Sequence, residues 1–127
     1  MTEHLFVYGT LMRGEERDGL VAHLSVADAS VNGRLWRVPA GYPALQLTPD
    51  GPQISGELLT LDQQSILMVL DLYEGVGEGL YERREIDVYA NGTTVRAWVY
   101  VMTVPQLRRS GARPLKTTDW RLVSPKR

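Results

Sequence analysis

The stretch YERREIDVYANGTTVRAWVYV, residues 81–101, decides the fold class because two alternating segments flank a tight-turn dipeptide. Apolar residues alternate with other residues on both sides of Asn91-Gly92, at Ile86, Val88, Ala90, Val95, Ala97, Val99 and Val101. A period of two is typical of a strand with one buried face. Asn-Gly is the dipeptide that best suits a short hairpin turn. The stretch therefore predicts an antiparallel β-hairpin.

Further strands are predicted upstream of this hairpin. The apolar run at residues 5–8 predicts a buried strand that stops at Gly9-Thr10, where glycine permits a turn. Residues 44–47 and 54–59 predict two more strands. The second of them returns after Pro49-Asp50-Gly51-Pro52, a strong turn signal.

Two other upstream segments are less regular. Residues 26–38 look extended, but Asn32-Gly33 indicates either a hairpin turn or a break within one strand. Residues 15–24 carry apolar residues at helical spacing and predict a weak helix, because Gly19 lies inside them.

A second helix is predicted after residue 60, and strands dominate the rest of the chain. Thr60 and Gln63 match a capping box. The residues that follow form an apolar helical stripe at Ile66, Val69, Leu70 and Tyr73, and Gly75 ends the helix. Residues 103–127 have no clear period and predict an irregular tail that packs through Trp120. The order of elements predicts one α+β domain over residues 1–127, with a curved sheet that closes into a small barrel.

Composition excludes several classes of function. The chain has 127 residues and a formal net charge of −1, which argues against a strongly basic nucleic-acid-binding protein. Cysteine is absent, so a disulfide framework, a thiolate zinc site and a cysteine nucleophile are excluded. With only His4 and His23, a histidine metal site is not expected. No apolar run is long enough to span a bilayer, and the start lacks a signal peptide, so we expect a cytoplasmic protein.

Three segments could carry chemistry, and each also has a purely structural interpretation. Gly9 in Tyr8-Gly9-Thr10-Leu11 leaves backbone N–H groups open to an anion, although the segment could be a plain bend. Tyr42 could cover a pocket or anchor a turn. Glu74 ends the helix predicted after Gln63, where the helix dipole disfavours its ionised form, although position alone favours a surface glutamate. The glycine-rich stretch 75–79 follows a helix instead of a strand, so it is interpreted as a connection and not as a dinucleotide site.

Together these segments resemble the γ-glutamylcyclotransferase-like family, which includes γ-glutamylamine cyclotransferases, a cyclotransferase of aminoglycoside biosynthesis and plant avirulence-induced proteins. The matching pieces lie in the same order along nearly the whole chain: FVYGTL (6–11), GYPAL (41–45), LDLYEG (70–75), YER (81–83), WVY (98–100) and DWR (119–121). The resemblance implies a small mixed β-barrel with few flanking helices.

The resemblance also implies a reaction and a site. A γ-glutamyl compound would cyclise to 5-oxoproline and release an amine or amino acid, with no cofactor, no metal and no partner besides this small molecule. Glu74 would be the acid/base. The substrate-binding residues would be Tyr8, Gly9, Thr10, Leu11, Tyr42 and Tyr81, of which the first four form a loop around the γ-glutamyl group.

Three alternatives stay open at this point. The barrel could be a non-catalytic module that binds a small molecule bearing a carboxylate. It could be a hydrolase of γ-glutamyl amides if water replaces the attacking amine. An oligonucleotide-binding barrel would need aromatic residues among its arginines, and the cluster Arg108, Arg109 and Arg113 has none, so it is interpreted as a solvated edge and no nucleic-acid partner is expected. No membrane partner is expected either, because no apolar run is long enough to span a bilayer.

Overall fold

The computed structural model describes residues 2–15, 18–21 and 24–123. These residues form seven strands and two α-helices: β1 (His4–Val7), β2 (Ser25–Arg37), β3 (Pro43–Leu47), β4 (Gln53–Thr60), α1 (Ile66–Tyr73), β5 (Glu82–Ala90), β6 (Thr93–Val101), α2 (Val104–Arg109) and β7 (Arg113–Pro114). Short 3-10 turns lie at Asp18–Leu20, Val76–Glu78 and Trp120–Leu122. Within the described residues, neither α-helix has the length and apolarity needed to cross a membrane.

Five strands close into a mixed barrel. Neighbouring strands pair in the order β2, β4, β1, β6 and β5, and Ser30 of β2 pairs with Tyr89 of β5 to complete the ring. The β1–β6 pair is parallel, and the other pairs of the ring are antiparallel. Strands β3 and β7 pair with the far end of β2 and extend the sheet beyond the ring. The predicted α+β fold with a small mixed barrel is confirmed.

The hairpin that decided the fold class has the predicted geometry. Asn91 and Gly92 have φ angles of 53° and 78°, the positive values that a tight two-residue turn requires. Ala90 pairs with Thr93, so the turn sets the register of the whole β5–β6 pair. The core packs fully buried apolar side chains from most elements, including Leu5, Phe6, Leu35, Leu45, Ile54, Leu70, Val88, Val99 and Leu107.

Strand β2 is longer than the sequence pattern suggested. It runs without interruption through Asn32-Gly33, where the pairing of β2 with β4 stops at Asn32 and its pairing with β3 starts at Gly33. That dipeptide is therefore neither a hairpin turn nor a break. The turn between β3 and β4 is present, but these two strands do not pair with each other. Each pairs with β2, which lies between them in the sheet.

Two helix predictions need correction. Thr60 is the last residue of β4, paired with His4, so it cannot cap a helix. Helix α1 begins at Ile66 after Ser65, and its buried residues are Leu67 and Leu70, whereas Val69 and Tyr73 are largely exposed. The helix predicted at 15–24 is wrong for the described residues, which hold only the 3-10 turn Asp18–Leu20. Its residues 16, 17, 22 and 23, including His23, lie outside the described part of the chain.

The C-terminal segment is more ordered than its sequence predicted. Residues 104–109 form α2, where the side-chain oxygen of Thr103 accepts a hydrogen bond from the N–H of Gln106 and so caps the helix. Trp120 is buried, as predicted. Residues 124–127 lie outside the described part.

Candidate active site

One cavity of about 380 Å³ lies at the end of β1, where the helix α1 ends against the barrel. Its wall is formed by residues 6–11, 40–43, 73–74, 80–81 and Tyr100. The seven residues predicted for the site all line it: Tyr8, Gly9, Thr10, Leu11, Tyr42, Glu74 and Tyr81. Segments far apart in the sequence therefore converge on one cavity.

The loop that follows β1 lines this cavity and carries backbone N–H groups that no described residue uses. No described residue accepts a hydrogen bond from the backbone N–H groups of Gly9, Thr10 or Leu11. The loop itself is a defined turn, because the N–H of Met12 donates to the carbonyl oxygen of Gly9 at 3.1 Å. Adjacent N–H groups in a fixed turn can bind a carboxylate or a developing oxyanion.

A buried carboxylate holds the far end of the same loop. Glu57 of β4 is only 1% exposed. One of its oxygens accepts the backbone N–H of Arg13 at 2.8 Å, and the other accepts Arg13 Nε at 2.7 Å. Arg121 contributes a second cation, 3.8 Å from Glu57. The sequence pattern does not indicate this anchor, since it predicts Glu57 only as a residue of the strand at 54–59.

Glu74 is placed at the cavity by the end of α1. It is the C-terminal cap residue, and its N–H donates to the carbonyl oxygen of Leu70 at 2.8 Å. The side chain is half-buried, and burial raises the pKa of Glu74 to about 7. No ion pair to its carboxylate occurs within the described residues, so nothing there lowers this pKa again. A carboxylate with such a pKa exchanges protons readily at neutral pH.

The hydroxyl of Tyr8, which directly follows β1, links β3 and β6 to the end of that strand. It donates to the carbonyl oxygen of Tyr100 at 2.6 Å and accepts from the N–H of Leu45 at 3.1 Å. Burial, and then the nearby charge of Glu74, raise the pKa of Tyr8 well above its usual range. The group therefore stays neutral, and its ring contributes an apolar wall.

Tyr81 fixes the loop on the opposite side of the cavity. Its hydroxyl donates to the carbonyl oxygen of Pro43 at 2.6 Å, and its ring lies 6.4 Å from the ring of Tyr42. Burial, followed by the neighbouring Tyr8 and Glu74, raises the pKa of Tyr81. Both tyrosine hydroxyls are thus neutral and committed to backbone groups, and Glu74 is left as the lining residue that titrates near neutral pH.

A network behind Glu74 was missed by the sequence analysis. Asp71, one turn earlier on α1, accepts hydrogen bonds from Arg83 Nε at 2.8 Å and from the hydroxyl of Tyr100 at 2.7 Å. The Arg83 guanidinium lies 4.4 Å from the centre of the Trp98 ring. These contacts join the end of α1 to β5 and β6. Asp71 is therefore already bound by partners on two strands.

Comparisons with known proteins agree with this architecture. A family model described as "Gamma-glutamyl cyclotransferase, AIG2-like" matches residues 5–122. No curated protein sequence matches the chain. Among solved structures, YkqA from Bacillus subtilis is 25% identical with a TM-score of 0.73. The match covers 96% of this chain, but this chain spans only 40% of the length of YkqA.

Two other solved structures share the fold at lower identity. An AIG2-like protein from Mus musculus is 23% identical with a TM-score of 0.69, over 98% of this chain and 85% of that one. A structure described as a gamma-glutamyl cyclotransferase is 22% identical with a TM-score of 0.65, over 81% of this chain and 68% of that one.

Proposed function

The chain belongs to the γ-glutamyl cyclotransferase, AIG2-like family, and from this premise we propose that it converts a γ-glutamyl compound into 5-oxoproline and a free amine or amino acid. In this reaction the α-amine of the substrate attacks its own γ-carbonyl carbon. The bond between that carbon and the leaving nitrogen then breaks.

The observation that carries the proposal is the pairing of two features in one cavity. Glu74 supplies a carboxylate whose pKa burial raises to about 7. The Gly9–Leu11 backbone supplies N–H donors that no described residue uses. An intramolecular acyl transfer needs a proton carrier and a site for the oxyanion, and these two features correspond to those two needs.

Glu74 is proposed to move the protons. Ionised Glu74 takes a proton from the substrate ammonium, which makes the α-nitrogen nucleophilic. The lactam nitrogen of 5-oxoproline keeps one hydrogen, so the ammonium loses two. The leaving nitrogen gains two as the amide N–H becomes an ammonium. The two protons that the α-nitrogen loses are therefore the two that the leaving nitrogen gains. A single carboxylate whose pKa lies near neutral pH can transfer them from one nitrogen to the other.

The loop after β1 is proposed to hold the reacting carbonyl. As the α-nitrogen attacks, negative charge develops on the carbonyl oxygen, and preorganised backbone N–H groups stabilise that charge. The remaining walls are mostly aromatic and apolar, including Tyr8 and Tyr81. They would keep the γ-glutamyl chain folded, so that the amine and the carbonyl meet at a high effective concentration.

The test is an incubation of the purified protein with a panel of γ-glutamyl compounds, followed by mass spectrometry of the products. We expect 5-oxoproline together with the released amine. Release of free glutamate would instead indicate hydrolysis. Binding of the compounds with no product would indicate a non-catalytic binding module, and either result would overturn the proposed reaction.

A further inference from the structure

A second depression, of about 500 Å³, adjoins the cavity. Leu80 and Tyr81 line both spaces, so the two adjoin each other at these side chains. Its polar lining beyond them consists of Glu82, Arg83, Arg84, Thr103 and Arg109. We refer to it as the arginine groove.

The charges of the groove do not cancel. Arg83 is paired with Asp71 at 2.8 Å, and Arg84 is paired with Glu82 at 3.3 Å. Arg109 is different. Its Nε and Nη2 atoms donate to Oε1 of Gln106 at 3.1 and 2.9 Å, and within the described residues no carboxylate forms an ion pair with it. The groove therefore keeps one uncompensated positive charge.

The groove begins two residues after Glu74 in the chain. Glu74 is followed by Gly75 and then by the 3-10 turn Val76–Glu78, whose first residue already lines the groove. The boundary is rigid, because the hydroxyl of Tyr81 is bound to the carbonyl oxygen of Pro43. If the N–H groups of the β1 loop hold the γ-carbonyl oxygen, the leaving nitrogen faces Glu74. The rest of the leaving group then has the adjoining groove as its continuation.

We propose that the arginine groove binds an anionic leaving group, so that the preferred substrates are γ-glutamyl compounds whose amine half carries net negative charge, as a dicarboxylic amino acid does. This inference rests on the proposed function and specifies its substrate class. Arg109 would pair with a carboxylate of the leaving group. The same charge would repel leaving groups that carry net positive charge, so Arg109 would both attract acidic leaving groups and disfavour cationic ones.

The experiment compares γ-glutamyl-glutamate with γ-glutamyl-ethylamide, whose leaving group is uncharged. Both kcat/KM for 5-oxoproline release and Kd by calorimetry are measured. We expect the acidic compound to be preferred. The preference, taken as the ratio of the two substrates, should fall about three- to tenfold in Arg109→Gln, which is the effect of losing one solvent-exposed contact of ordinary hydrogen-bond strength. Arg109→Lys should retain most of it.

Arg108→Gln is the matched control, because Arg108 lies in the same last turn of α2 and does not line the groove. It should leave the ratio unchanged. An Arg109→Gln ratio equal to that of the parent protein, in both kcat/KM and Kd, overturns the groove proposal while leaving the reaction standing. Selective binding of the acidic compound that depends on Arg109, without any 5-oxoproline, supports the groove and overturns the reaction. Absence of both binding and turnover for every compound overturns both.

Discussion

Arg13 is bound to Glu57 through two hydrogen bonds at once, one from its backbone N–H at 2.8 Å and one from its Nε at 2.7 Å. The residues are separated by 44 positions in the chain, so the contact fastens the loop after β1 to the strand β4. Because the same loop carries the open N–H groups of residues 9–11, the position of these donors depends on a buried carboxylate that does not line the cavity.

Glu57→Gln should therefore lower both stability and ligand affinity. The substitution replaces two charge-assisted hydrogen bonds by weaker ones, and we expect a loss of about 1–3 kcal/mol in the free energy of unfolding, measured in urea. Asp28→Asn is the matched control. Asp28 also pairs with Arg13, at 3.5 Å, but its side chain is 87% exposed, so the change should stay within about 0.5 kcal/mol. Equal effects of the two variants would show that burial of Glu57 is not what matters.

Tyr8→Phe should destabilise the junction of three strands. The substitution leaves the N–H of Leu45 and the carbonyl oxygen of Tyr100 without their buried partner, at a cost of about 1–3 kcal/mol. The aromatic wall of the cavity stays in place, so KM for a turned-over γ-glutamyl compound should change less than about threefold. Denaturant unfolding and steady-state kinetics measure the two effects. Unchanged stability with lost affinity would instead indicate that the hydroxyl contacts the ligand.

The strands were predictable because their signals are local. The Asn91-Gly92 turn and the alternation around it specify a hairpin without help from distant residues, and the structure confirms it. The helix start failed for a non-local reason: Thr60 pairs with His4 of β1, and that pairing extends β4 through the expected cap. The placement of β2 between β3 and β4 is equally non-local, since a turn signal does not say which strands it joins.

The contrast between local and non-local signals also explains which parts of the site could be predicted. The site residues that were predicted lie in short segments recognisable from residue type and position alone, such as the glycine after β1 and the acid at the end of α1. Side-chain pairs such as Glu57–Arg13 and Asp71–Tyr100 join residues that are far apart in the sequence. No spacing rule connects their partners, so only the folded chain reveals what holds the loop and the helix end in place.

Gly9→Ala should damage the cavity through Pro43. Gly9 is not among the described glycines with positive φ, so its backbone angle does not by itself require glycine. A Cβ atom there would instead lie 2.5 Å from Cγ of Pro43, which the hydrogen bond from Tyr81 holds in place. We expect turnover to fall at least tenfold and stability to fall by about 1–3 kcal/mol.

Gly77→Ala provides the control for this change, because a Cβ atom at Gly77 meets nothing within 4 Å. Its stability should be unchanged or higher by up to about 1 kcal/mol, owing to the smaller entropy of the unfolded chain. If Gly9→Ala behaves like Gly77→Ala in both unfolding and turnover, the contact with Pro43 does not shape the site.

Stability should depend on pH through Glu74. Burial raises its pKa from 4.5 to about 7, so the folded protein binds more protons than the unfolded chain between these values. The favourable contribution of protonated Glu74 is therefore fully present below pH 4.5 and is lost as the pH rises through 7. Relative to wild type, Glu74→Gln should gain up to about 3 kcal/mol between pH 4.5 and pH 8. Urea unfolding of both proteins at several pH values measures this difference, and a constant difference would contradict the raised pKa.

Glu74→Gln should also abolish most of the proposed turnover while sparing the fold. Glutamine keeps the shape and helix propensity of the residue but cannot carry a proton. General acid–base catalysis is worth about 10²- to 10⁴-fold, so we expect 5-oxoproline production to fall by at least that order, with ligand affinity retained within about tenfold.

In wild type, kcat/KM should rise with pH through an apparent pKa of about 7, because ionised Glu74 is the base. Glu78→Gln is the matched control, since this exposed glutamate lies in the next turn and does not line the cavity. Near-normal production by Glu74→Gln, or an equal loss in Glu78→Gln, would remove Glu74 from the mechanism.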